Sequence, residues 1–192
     1  MFDGAAPRRA PSNTFLPPAQ REPTLAFVGP VAPGGRILMR VTCCLDDAPP
    51  PDPSGVYLVP RDFSSYERLT PGRDLIPLGL GPAGAWLAGL RREEQPEGES
   101  SPALVVVDLP GRAERTLVAR NALPLAERGA VAPDGTIAVA TQTSDQFPVV
   151  LDDVWTVAPT GGARRNATGG AYPGISAFGW APAATLDAVP AP

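Results

Sequence analysis

AERGAVAPDGTIAVATQ, residues 126–142, reads as a strand, a tight turn and a second strand. The small and β-branched residues on either side suit a pleated, half-buried surface. Between them Pro133 presets its own φ, and Gly135 can take the positive φ that closes such a bend. Three further stretches have the same form: LAFVGPVAPGGRILMRV (25–41), LIPLGLGPAGAWLAGL (75–90) and ISAFGWAPAATLDAV (175–189). Their turn prolines, Pro33, Pro82, Pro133 and Pro182, stand 49, 51 and 49 residues apart. The last bend, Pro182-Ala183-Ala184, lacks the glycine and is the weakest copy.

A second element recurs between these turns. GVYLV (55–59), ALVVV (103–107) and DVWTV (153–157) lie 22, 21 and 20 residues beyond their prolines. Each is followed by a turn and a polar, arginine-containing stretch: SSYERLT, GRAERTLV and GGARRNAT. The unit is therefore four strands joined by hairpins, and four strands at this period are the signature of a propeller blade. The expected fold is all-β and β-propeller-like, with three four-stranded blades plus the inner strands of a fourth. Residues 1–22 form a proline-rich N-terminal tail. Residues 23–192 form the partial propeller, with blades at about 23–72, 73–120 and 121–170 and a partial one at 171–192.

The expected inner strands are Thr24 to Val28, Asp74 to Leu80, Glu127 to Val131 and Ile175 to Trp180. The first blade continues through Ile37 to Thr42, Gly55 to Val59 and Tyr66 to Thr70. The second continues through Trp86 to Leu90, Ala103 to Leu109 and Glu114 to Val118. The third continues through Thr136 to Thr141, Asp153 to Val157 and Ala163 to Thr168, and the fourth through Thr185 to Val189. In all three complete units the long loop joins the second and third strands (46–54, 92–102 and 144–152).

APDGTIAVATQ, DVWTV, GGARRNAT and ISAFGWAP together resemble the repeat of TolB-type and WD-like propellers. Residues 132–182 match that pattern nearly throughout; the two earlier repeats match it more loosely, with GPAG and APGG in place of the aspartate-bearing turn. The resemblance implies the fold and says almost nothing about function. It also implies a periplasmic or cell-envelope setting, whereas the MFDGAAPRRAPSNTFLPPAQ start has Arg8 and Arg9 but no apolar run of a secretory signal.

The composition fits this reading. Glycine and proline number 20 and 26 of 192 residues, and they fall between apolar runs, as in a protein of short strands and many turns. All 16 basic residues are arginine, which with the alanine, proline and glycine load marks a high-GC, bacterial type of composition. The net charge is −4 and no stretch gathers arginine in quantity, so nucleic acid is not an expected partner. No stretch approaches the roughly 20 apolar residues of a membrane helix, so membrane association is expected only through a partner.

Enzyme chemistry has little to work with. The chain contains no histidine, which removes Ser-His-Asp and Cys-His nucleophile systems and histidine metal sites. A phosphate-binding loop of the G-x-x-x-x-G-K-[ST] type cannot form without lysine. Asp46, Asp47 and Asp52, and Asp145, Asp152 and Asp153, lack the alternating spacing of a calcium loop and read as solvated acidic loops. The adjacent Cys43 and Cys44 read as two thiols, because bridged neighbours form a strained ring. Trp155 and Trp180 fall on positions that pack between blades in the resembled family, so core is preferred to a ligand cage for them and for Trp86. Asn166-Ala167-Thr168 is a glycosylation sequon by pattern and also the fourth strand of its unit. No catalytic residue, cofactor or metal is expected.

What remains is interaction. Three blades and part of a fourth do not close a ring of four to eight, so the end blades are expected to present apolar faces. The tail could cover one, with Arg8 to Asn13 as an outer strand on the fourth blade; otherwise a second copy or another protein covers them. The candidate partner-contact edge is Thr185, Leu186, Ala188 and Val189. The acidic run Glu93, Glu94, Glu97 and Glu99 reads first as a solvated loop and second as a docking loop for a basic partner. The expected function is a non-catalytic structural or interaction subunit of a larger protein assembly. The alternatives are a homodimer that completes the ring and an accessory propeller of a hydrolase carried on another chain.

Overall fold

A computed structural model describes residues 16–17, 24–43, 52–92, 101–122, 125–142 and 153–169. These residues form twelve strands in three four-stranded antiparallel sheets, none of them closed on itself. The first sheet holds β1 (Thr24–Val31), β2 (Ile37–Cys43), β3 (Gly55–Val59) and β4 (Glu67–Pro71). The second holds β5 (Leu75–Leu80), β6 (Trp86–Arg91), β7 (Ala103–Asp108) and β8 (Glu114–Val118). The third holds β9 (Leu125–Val131), β10 (Ile137–Gln142), β11 (Asp153–Val157) and β12 (Arg165–Asn166). Strand order in each sheet follows the sequence, so every pairing is between neighbours in the chain.

All twelve strands expected between residues 24 and 168 are present; β3, β8 and β11 have the expected bounds and the others have shifted ends. The largest shift is β12, which has two residues where six were expected. Gly161 and Gly162 take positive φ (84° and 103°) and hold the preceding turn out of the ladder. On the far side, Asn166 Oδ1 accepts hydrogen bonds from the N–H groups of Thr168 and Gly169, which closes a turn just after Ala167, whose N–H still donates to the Val154 carbonyl of β11. The strands expected at 175–180 and 185–189 lie outside the described residues.

The core sits between the sheets. Leu38, Val56, Leu58 and Leu69 of the first sheet pack against Leu75, Leu80, Leu87, Val105 and Val107 of the second. On its other face the second sheet sends Leu78, Ala88, Leu90, Leu104, Val106 and Val118 against Ala126, Ile137, Val139 and Val157 of the third. The two-residue period of a strand explains the sorting: in β7, Val105 and Val107 face one way and Leu104 and Val106 the other. Burial on both sides explains why ALVVV is a continuous apolar run rather than an alternating one.

The first strands of successive sheets lie side by side, β1 by β5 and β5 by β9. Glycine allows the second of these approaches. A Cβ on Gly79 would stand 2.9 Å from Val131 Cγ2, and one on Gly129 would stand 2.7 Å from Leu78 Cδ1. Real Cβ atoms do not come so close, so these two strand interiors have no room for a side chain.

Candidate functional site

The register aligns one apolar row across each sheet. It is Val31–Ile37–Val59 in the first, Leu80–Leu87–Val107 in the second and Val131–Ile137–Val157 in the third. In the second sheet this row packs on the first sheet, and in the third sheet it packs on the second. In the first sheet the same row lies on the outward face, where no described sheet covers it. Val59 of this row is buried in the cluster around Leu16, and only Val31 is open. Leu80 is 9% exposed, whereas Val31, at the equivalent place, is 63% exposed.

The outward face is nevertheless built like a packing surface. Met39 stands across from Tyr57, and Ile37 across from Val59. With Val41 and Phe63 they surround Leu16, which is 1% exposed. Leu16 therefore crosses from the N-terminal segment and buries its side chain on this face, while the adjacent Pro17 stays exposed.

Aromatic residues line one side of the cluster. The rings of Tyr57 and Tyr66 meet edge to face with centroids 5.7 Å apart. Tyr57 Oη donates a 2.6 Å hydrogen bond to the Pro53 carbonyl. Burial pushes its phenol above the ordinary value, against the pull of Arg68. The Arg68 guanidinium lies 5.9 Å from the Tyr57 ring centre and donates through Nη2 to the Ser54 carbonyl. The patch thus combines a buried apolar floor, two aromatic rings of which Tyr66 is 45% exposed, and one cation.

A polar cluster marks the end of the sheets from which the long loops leave. Arg91 bonds Asp74 at 2.7 Å and also holds Glu114. Arg40 donates to the Arg73 carbonyl through Nε and Nη2. Burial, with Arg92 nearby, pushes the Arg40 guanidinium below its ordinary value. These groups are joined to each other and to backbone, and they tie the first sheet to the second.

The carboxylates that could serve as ligands are used locally. Asp52 accepts from the Ser54 N–H, Asp134 from the Thr136 N–H, and Asp153 from the Thr168 hydroxyl. Among the described residues no three Asp, Glu or Cys side chains gather as a metal would require. Trp86 and Trp155 pack, half-buried, against the core between the second and third sheets, as the core reading expects. Arg164 stands over the Trp155 ring at 5.7 Å. Cys43 ends β2. Cys44, Asp46, Asp47, Asp145, Asp152, Trp180, the acidic run Glu93, Glu94, Glu97 and Glu99, and the edge Thr185, Leu186, Ala188 and Val189 lie outside the described residues, as does Arg8 to Asn13. No described helix is long and apolar enough to cross a membrane.

Neither the protein-family models nor the curated proteins contain a match to this chain. The sequence reading expected an apolar face on the first unit without naming its residues. The signal was available only as a pattern across repeats. Val31, Ile37 and Val59 hold the positions whose counterparts are interfacial in the next two units.

Proposed function

We propose that the three sheets are blades of a propeller-like repeat and that the chain acts without catalysis, as an interaction subunit. Its partner docks on the outward face of the first blade. The observation that carries this reading is the row Val31–Ile37–Val59, which has the composition and register of an inter-sheet contact and leaves Val31 63% exposed. Val31 and Tyr66 are the large apolar residues exposed among the described ones, and both belong to the first unit, which is why we place the contact there.

Two further facts support a binding role over a chemical one. The chain has no histidine and no lysine. Its described acids cap turns or pair with arginine, so they hold shape. The likeness of the repeat to TolB-type and WD-like propellers agrees with a scaffold of this kind.

The test is the mass of the chain isolated from its native source, by multi-angle scattering, with identification of co-eluting proteins. The expected result is a complex heavier than the 19.9 kDa chain, from which Val31→Glu is lost. Val31 is exposed, so this change leaves the fold intact. A wild-type chain that runs alone at 19.9 kDa would overturn the reading. A mass of two chains with no other protein would assign the docking to a second copy.

A further inference from the structure

The hairpin between β9 and β10 turns on Asp134-Gly135. The first and second units hold Gly34-Gly35 and Ala83-Gly84 at the same places, so the carboxylate is peculiar to the third. Aspartate followed by glycine is the pair that cyclises most readily, because glycine has no side chain to shield its nitrogen. The Gly135 nitrogen attacks Asp134 Cγ: the N–Cγ bond forms, and the carboxyl hydroxyl leaves as water with the nitrogen's proton. Water then opens the succinimide ring. Opening at the side-chain carbonyl restores aspartate, and opening at the main-chain carbonyl leaves isoaspartate. No further reactant is required.

The folded turn opposes each part of this reaction. The Gly135 N–H donates to the Ala132 carbonyl at 2.9 Å, so the nucleophile is engaged. Asp134 Oδ1 accepts from the Thr136 N–H at 2.8 Å, which fixes the carboxylate. The hydrogen bonds from Thr136 also hold the Asp134 carboxyl below its ordinary range, so little of the neutral acid, the form that loses a hydroxyl, is present. The Ala132 N–H donates to the Thr136 carbonyl at 2.8 Å and closes the hairpin behind them. Asp134 is exposed to water, whereas Gly135 is buried. A Cβ on Gly135 would stand 3.4 Å from Pro82 and from Trp86 of the second unit, so the turn is also part of the seam between two sheets.

We infer that Asp134-Gly135 is a modification site under the control of the fold: the closed hairpin keeps aspartate, and each opening of the turn admits conversion to isoaspartate. The product lengthens the main chain by one carbon and moves the free carboxylate onto Cα. It can therefore no longer make the bond to the Thr136 N–H that shapes this turn. Gly135 is displaced from Trp86 and Pro82 in the same step. The modification is a chemical record of how often the β9–β10 hairpin opens, written where the second and third sheets meet.

The experiment holds the full chain at neutral pH, folded in buffer or unfolded in concentrated urea. Isoaspartate is read by methylation with a protein isoaspartyl methyltransferase and assigned in the tryptic peptide 129–164, which separates Asp134 from Asp3-Gly4, the other such pair. Asp134 is expected to convert in urea, and at least about tenfold more slowly in the folded chain, by the factor with which the closed turn outweighs the open one. Gly135→Ala puts a methyl group beside the nucleophile and is expected to suppress the conversion in urea. Within the folded range, added urea is expected to raise the conversion rate and the amide hydrogen exchange of Gly135 together. Conversion as fast in the folded chain as in urea would overturn the inference. So would no conversion in urea, undiminished conversion in Gly135→Ala, or a folded-state rate that does not follow the exchange of Gly135.

Discussion

Gly81 lies against the indole of Trp86, so closely that a Cβ on the glycine would stand 2.0 Å from Cε2 of the ring. The two residues also share a backbone hydrogen bond, from the Gly81 N–H to the Trp86 carbonyl at 2.8 Å. On its other side the ring approaches Gly135 of the third sheet, where a Cβ would be 3.4 Å from Cζ2. The indole is a wedge between the turns of two sheets. Gly81→Ala has to displace it, at a cost of about 1–3 kcal/mol. Urea unfolding will show this as a lower midpoint at unchanged slope.

Leu87 and Leu90 are both fully buried in β6 and point to opposite sides, Leu87 to the first sheet and Leu90 to the third. Either leucine replaced by alanine is expected to cost about 2–5 kcal/mol, from lost transfer energy and the cavity left behind. Because the two cavities open in different layers, the double variant should lose the sum of the single losses to within about 0.5 kcal/mol. A large departure from additivity would mean that the two layers behave as one.

Tyr57 joins the outward face to the backbone through its bond to the Pro53 carbonyl. Tyr57→Phe keeps the ring and leaves that buried carbonyl unpaired, so it should cost about 1–3 kcal/mol. The phenol is raised above its ordinary value of 10.0 chiefly by burial. The folded state therefore favours its neutral form. That contribution is fully present below pH 10 and is lost as the pH rises through the higher folded value. Alkaline unfolding of the wild type should begin at a lower pH than the loss of Tyr57→Phe, relative to each protein's own neutral stability.

Acid should act in the opposite direction. Partial burial pushes the Asp52 carboxyl up, but the hydrogen bonds from Ser54 and the charges of Arg68 and Arg73 outweigh it and hold it below 3.8. Ser64 and Thr136 do the same for Asp62 and Asp134. A depressed folded value means stability that is present above the ordinary one and lost as the pH falls through the folded one. With no histidine in the chain, no side chain has its ordinary pKa between about 5 and 8. The urea midpoint should therefore stay flat from about pH 5 to 7 and drop below about pH 4. Combined Asp52→Asn, Asp62→Asn and Asp134→Asn should shallow that drop.

The sheets were legible in the sequence because their signals are local. Pro33, Pro82 and Pro133 mark the first hairpins, and five-residue apolar runs mark the third strands, so twelve strands follow from spacing and turn chemistry. The ends were less legible. Nothing in GGARRNAT by itself says that Asn166 will bond its own following backbone and stop β12 after two residues. The outward site was not legible at all from any one stretch. Leu16 stands next to Phe15 in a proline-rich run, with no period to announce burial. Val31 looks like any strand residue until its counterparts Leu80 and Val131 are seen to be interfacial.

Within each sheet the strands pair in chain order, and the cores described lie between successive sheets. A gene segment encoding one unit of 49 to 51 residues could thus be copied in tandem, and the new sheet would find the surface it needs already displayed by the old one. Lineages built this way can change length without redesigning a core. The row Val31–Ile37–Val59 is then the socket such a copy would plug into.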